Sequence, residues 1–139
     1  MRLSLPFILS SLLPAASALQ TIYLGYITTN NRYGSYIAWF SDSDPCDGTS
    51  FGNIFNQFRD CDRPITILGH EGITFTGCQT PAQTPGANGG YPTGVSDDGA
   101  PALSCSRDGY PSPGSEGTFI ARCNGPSNFG YVTIIEYCS

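Results

Sequence analysis

Six cysteines constrain this chain more than any other feature. Cys46, Cys61, Cys78, Cys105, Cys123 and Cys138 all lie downstream of an N-terminus that reads as a secretory leader. Arg2 supplies the positive charge, Leu3 to Leu13 an apolar stretch broken only by serines and Pro6, and Ala16-Ser17-Ala18 the small residues that a signal peptidase inspects. The apolar stretch is far shorter than the roughly 20 residues a spanning helix needs, and Pro6 and Pro14 disfavour one long helix. Cleavage is expected after Ala18, so residues 1–18 are a signal peptide and residues 19–139 one secreted, extracellular domain. An even number of cysteines on an exported chain predicts three disulfides. A zinc site is disfavoured, because no two cysteines are closer than Cys46 and Cys61, and no metal or other cofactor is expected.

Between the cysteines the pattern is that of strands. Thr21 to Thr28 is rich in β-branched and aromatic residues, Asn30 to Gly34 is a turn cluster, and Tyr36-Ile37-Ala38-Trp39-Phe40 is a second strand, so these two form a predicted hairpin. Phe51, Ile54, Phe55 and Phe58 fall at helical spacing behind Ser50, which predicts one short amphipathic helix over 51–60. Ile65, Ile67, Ile73 and Phe75 alternate with threonines around Gly69-His70-Glu71-Gly72. A three-residue loop there would set Ile65 opposite Phe75 and Ile67 opposite Ile73. Residues 79–101 are rich in proline and glycine without hydrophobic periodicity, and read as a long loop. Thr118 to Cys123 and Tyr131 to Tyr137 are the last strands, the second apolar on both faces and therefore central.

The fold class that follows is mainly β: about seven strands in a disulfide-stapled antiparallel β-sandwich or barrel-like domain with one short helix. An α+β sheet with a packed helix is the alternative. The hairpin register brings Cys61 and Cys78 together. Cys123 and Cys138 lie at opposite ends of the last hairpin, too far apart for the roughly 7 Å that a disulfide tolerates. That leaves Cys105–Cys123 and Cys46–Cys138 as the favoured remaining pairs.

Charge narrows the partners. The formal net charge is −5, and the 6 basic residues are all arginine, scattered along the chain. Neither a phosphate backbone nor an anionic membrane finds a basic face here, so nucleic acid and membrane insertion are excluded as partners. The absence of lysine removes every side-chain acceptor for ubiquitin, but one absence in a chain this short is ordinary compositional drift. No Asn-x-Ser/Thr sequon occurs.

Candidate chemistry is sparse. His70 is the only histidine, and Glu71, Glu136, Arg122 and Arg63 are the stock from which a ribonuclease-like or other small hydrolase site would be built. Adjacent strand residues point to opposite faces, so His70 and Glu71 do not converge easily. No nucleophile elbow exists, and the cysteines are committed to disulfides. Asp42-Ser43-Asp44-Pro45-Cys46-Asp47-Gly48 departs from the order of a calcium loop and reads as an acidic turn. Tyr91, the one large side chain within the 79–101 loop, is the candidate binding residue.

The run His70-Glu71-Gly72-Ile73-Thr74-Phe75-Thr76-Gly77 resembles the hairpin motif of βγ-crystallins, with histidine in place of the first aromatic, and implies a Greek key as a further fold alternative. In format the whole chain resembles the small secreted cysteine-rich proteins of filamentous fungi: a short leader, one domain, six cysteines and many Gly, Tyr and Asn. That resemblance implies a virulence effector, toxin, antimicrobial or surface-adhesion role and carries no site residues. Eight tyrosines against one histidine favour recognition over catalysis. The expectation is therefore a monomeric, effector-like protein that binds a partner protein or cell-surface glycan outside the producing cell, without catalysis.

Overall fold

The computed structural model describes residues 18–28, 34–53, 61–78, 91–106, 118–125 and 129–139. These residues form nine strands of one antiparallel sheet: β1 Ile22–Thr28, β2 Ser35–Phe40, β3 Thr49–Asn53, β4 Pro64–Ile67, β5 His70–Thr76, β6 Gly94–Asp97, β7 Ala100–Ser106, β8 Thr118–Asn124 and β9 Phe129–Cys138. The strand order is β3-β2-β1-β9-β7-β6-β5-β4, with β8 also on β9. β9 pairs along one edge with β1. Its other edge is shared, with β8 opposite its first half and β7 meeting only Tyr137 and Cys138. The sheet curls until its end strands meet, giving a nearly closed barrel. At that seam the Leu68 amide donates to Thr49 Oγ1 at 3.2 Å, and the Phe51 and Phe75 rings lie 5.3 Å apart.

β1, β2 and β9 are buried on both faces, which is why they lack a clean apolar–polar alternation. Ile22, Leu24, Tyr36, Ala38, Ile135 and Cys138 turn into the barrel to meet Phe51, Ile67, Ile73, Phe75 and Val95. Ile27, Ile37, Trp39 and Val132 form a second core on the outer face with Cys123. The short 3-10 turn Pro45–Asp47 touches both β2 and β8 beside it. Gly25 lies where Trp39 rests on bare backbone: an added Cβ would stand 2.5 Å from the Thr133 carbonyl and 2.7 Å from the indole.

All six cysteines are paired. Cys61–Cys78 closes the base of the β4–β5 hairpin, as the sequence suggests. The other pairings differ from expectation: the bonds are Cys46–Cys123 and Cys105–Cys138, not Cys105–Cys123 and Cys46–Cys138. The reason is topological. β7 joins β9 rather than β8, and this sets Cys105 directly opposite Cys138 with 3.9 Å between their Cα atoms. Cys123 faces the outer core, where Cys46 arrives from the 3-10 turn.

Three further expectations are corrected. Phe51–Asn53 belongs to β3, so no helix begins at Phe51, and the rest of that predicted helix, 54–60, lies outside the described residues. The β4–β5 turn has two residues rather than three: Leu68 and Gly69 take φ of 47° and 88°, a type I′ turn that sets Ile67 opposite His70, and a register shift between Ile65 and Ile67 then sets Ile65 opposite Ile73. The stretch 79–101 is not all loop, because Gly94–Asp97 is β6 and Ala100 and Pro101 open β7, joined by a second positive-φ pair at Asp98 and Gly99. Residues 91–93 are described outside any strand, while 79–90, and residues 1–17 of the expected leader, lie outside the described residues.

Candidate functional site

The candidate catalytic residues are distributed over the barrel. His70 opens β5 beside the Leu68–Gly69 turn, with Nε2 3.0 Å from Asp97 Oδ1 and its ring 6.0 Å from that of Phe40. Glu71 is the next residue and exposed, and Arg63 is exposed at the other end of β4. Glu136 stands opposite Leu24 and is buried, at 1% exposure. Arg122 is exposed on β8, opposite Tyr131, which in turn stands opposite Thr28. Phe40, against which His70 rests, stands opposite Ile22. His70 and Arg122 thus mark opposite ends of the seven-residue strand β1, about 20 Å apart at the usual rise per residue. A histidine, a carboxylate and an arginine facing one phosphate are not assembled from these residues.

The acidic turn has a structural use. Asp44 caps the 3-10 helix, its Oδ1 accepting from the Cys46 amide at 2.8 Å, and Asp42 Oδ2 accepts from Gln20 Nε2 at 3.1 Å. No group of three or more metal-ligating side chains occurs among the described residues. Tyr91 packs, half-buried, against the barrel core rather than standing alone in solvent.

A different face stands out. Four large hydrophobic residues are exposed among those described: Leu68, Phe119, Ile120 and Tyr131. Three of the four lie on the β8–β9 hairpin. Phe119 is 57% exposed and Tyr131 49%, their rings 5.7 Å apart and inclined at 60°, with the Arg122 guanidinium 5.7 Å from the Tyr131 ring centre. The register explains the grouping. Phe119 stands opposite Thr133, Arg122 opposite Tyr131, and these face Tyr26 and Thr28 across β9. Directly opposed residues of antiparallel strands share a face.

That face continues into the barrel. Tyr26 lies beside Tyr36 at 5.2 Å between ring centres, Tyr36 beside Phe51 at 6.3 Å, and Phe51 beside Phe75. An aromatic run therefore leads from the core to Tyr26, which stands opposite Thr133 of the exposed hairpin. Burial raises the Tyr26 phenol above its ordinary value, the Gly34 backbone hydrogen bond partly offsets this, and nearby Tyr36 adds to it. A side chain at Gly34 would overlap the Tyr26 ring, so glycine there lets the phenol lie flat on backbone. Sequence reading places Tyr131 within a central strand, and it is paired on both sides, with Thr28 of β1 on one and Arg122 of β8 on the other, yet its side chain is exposed. The available signal is Phe119-Ile120, two adjacent apolar residues on one strand, which cannot both face one core.

No family model matches this chain, and neither a curated protein nor a solved structure matches it.

Proposed function

We propose that this protein acts outside the cell that makes it as a non-catalytic, effector-like binding protein, with the β8–β9 hairpin as its contact face. The observation that carries this reading is the concentration of exposed Phe119, Ile120 and Tyr131, with Arg122, on one hairpin. Exposed apolar side chains scattered singly mean little, whereas a contiguous group marks an interaction surface. Tyrosine and arginine are also the side chains that dominate recognition energetics. The face is held rigid by the Cys46–Cys123 bond on its reverse side, which lowers the entropy lost on binding. Three disulfides fit an oxidising, extracellular setting. The hydrolase alternative draws no support from geometry that leaves His70 and Arg122 at opposite ends of β1.

The test is cosedimentation of the protein with insoluble cell walls from plant tissue and from fungal mycelium. The Phe119→Ala/Tyr131→Ala double variant should lose about tenfold or more in affinity while keeping the native near-ultraviolet spectrum. Equal binding by this variant would move the contact face elsewhere. Turnover of RNA that vanishes in His70→Ala would replace binding with catalysis.

A further inference from the structure

Resting on that reading, we infer that the β8–β9 face binds an acidic polysaccharide of kinked backbone: a chain of α-1,4-linked uronic acids. Two independent features point there. The first is the angle between the rings. Phe119 and Tyr131 are adjacent at 5.7 Å but inclined at 60°. Sugar rings bind aromatics by laying their C–H faces on the ring plane. A flat ribbon such as a β-1,4 glucan presents successive rings nearly coplanar and needs coplanar aromatics. A chain linked through axial bonds turns each ring sharply against the next, and two inclined aromatics can each take one face of it.

The second feature is charge. Among the described residues Arg122 is the charged side chain at this aromatic pair, its guanidinium 5.7 Å from the Tyr131 ring centre. Stacking leaves the edge of the guanidinium free to grip a carboxylate with two parallel hydrogen bonds. The chain as a whole is acidic, with a net charge of −5, which would argue against a polyanion if charge were spread evenly. It is not spread evenly. Asp42, Glu71, Asp97 and Asp98 gather around the end of the barrel where His70 meets Phe40. Arg122 stands at the other end of β1, about 20 Å away by strand rise, well beyond the screening length of about 8 Å in physiological salt. Asp44 and Asp47 are nearer, flanking the Cys46 that bonds Cys123, but on the reverse side of the sheet, so on the aromatic face a carboxylate meets Arg122 first among the described charges. Thr28, exposed on the same face, adds a hydroxyl beside Tyr131, whose carbonyl it already contacts at 3.3 Å.

Four soluble probes separate the two features: polygalacturonate, its methyl ester, polymannuronate and cello-oligosaccharides. The first is kinked and acidic, the second kinked and neutral, the third flat and acidic, the fourth flat and neutral. Titration calorimetry in the presence of a chelator, to prevent calcium bridging to the acidic end, should rank polygalacturonate first. Phe119→Ala and Tyr131→Ala should each weaken it about tenfold or more. Arg122→Gln should erase the preference for the acid over its methyl ester and leave the preference for kinked over flat chains. Equal affinity for polymannuronate and polygalacturonate would overturn the argument from ring angle. An unchanged acid preference in Arg122→Gln would overturn the argument from charge. If the protein binds cell walls through Phe119 and Tyr131 yet binds no uronan, the polysaccharide assignment falls and the binding reading stands. If the aromatic variants bind walls as the native protein does, the contact face itself is wrong.

Discussion

The β4–β5 and β8–β9 hairpins each carry a disulfide, Cys61–Cys78 on the first and Cys46–Cys123 on the second, and each turns apolar residues toward a core. They differ in what they show to solvent. The first exposes Thr66, Glu71 and the Leu68–Gly69 turn, while Ile67, Ile73 and Phe75 are buried. The second buries Val132 and Cys123 yet exposes Phe119, Ile120 and Tyr131. A polar outer face is what folding alone selects for a hairpin at a barrel wall. An aromatic face left in solvent, continuous with the barrel interior, adds nothing that folding requires, so the contrast separates the residues that build the barrel from those proposed for contact.

The two disulfides give the largest test of that contrast. Cys46–Cys123 spans 77 residues and Cys61–Cys78 only 17. In the chain-entropy account, removing the first by paired Cys→Ser exchange should cost about 4.5 kcal/mol and the second about 3 kcal/mol. Denaturant unfolding of the two double variants checks the order. A larger loss from the short bridge would mean that the β8–β9 hairpin is held by its packing on Ile37 and Trp39 rather than by its covalent tie. Phe75→Ala comes next. Phe75 is 1% exposed and touches Phe51 across the closing seam, so its loss should cost about 3–5 kcal/mol in the same measurement.

Much of this fold is legible in the residues. The β1 and β2 strands, the Cys61–Cys78 bond and the central placement of β9 all follow from local alternation and apolar content. What was not legible is the partnering of β7. Pro101 argues against a strand, yet it sits at the register shift of the β6–β7 pair, where a missing N–H is tolerated. Asp98-Gly99 was the overlooked cue, a type I′ hairpin dipeptide with Val95 before it and Leu103 after it. Missing β7 displaced Cys105, and with it two of the three disulfides. The helical spacing of Phe51 and Phe55 misled for a related reason: Phe51 is drawn into the barrel from β3 by Tyr36 and Phe75, and tertiary packing outweighs a short periodic pattern. At the contact face the residues were visible but their exposure was not, because nothing local says that β7 stops at Ser106, opposite Tyr137, and leaves the other half of that β9 edge to β8.

The two tight turns allow a smaller test. Leu68 holds φ of 47°, a region that branched apolar residues enter at a cost, whereas Asp98 at φ 48° belongs to a type that tolerates it. Leu68 is also 39% exposed, so little packing is lost on replacing it. Leu68→Asn should therefore raise stability by about 0.5–1 kcal/mol, read as a shift in thermal midpoint. A fall would show that Leu68 is needed at the seam beside Thr49.

Alkaline titration reaches the aromatic run that leads from Phe75 to Tyr26. The Tyr26 phenol ionises above the ordinary tyrosine value because burial disfavours the phenolate. The unfolded chain gives up this proton first as pH rises, so the sign is fixed. The contribution of Tyr26 to stability is fully present below the ordinary value and is lost as pH climbs through the raised one. Absorbance titration of native protein should lose one late-ionising group in Tyr26→Phe. The same variant should flatten the loss of stability above the ordinary tyrosine range.

The smallest expected change is the most informative about function. Phe119→Ala removes the same side chain as Phe75→Ala, on the other hairpin, from a position that is 57% exposed. Its contact with Tyr131 is a cross-strand surface pair, worth less than about 1 kcal/mol. Little apolar area returns to water, no cavity opens, and no buried polar group loses a partner, so the mechanisms that make core substitutions costly are all absent. Tyr131→Ala should behave likewise, with the Arg122 stack as its added loss. Measured side by side, the two phenylalanines should differ several-fold in their effect on unfolding and in the opposite sense in their effect on cell-wall binding. If Phe119→Ala unfolds the protein as Phe75→Ala does, the exposed aromatics are part of the folding core after all. The β8–β9 hairpin would then lose its claim as a contact face.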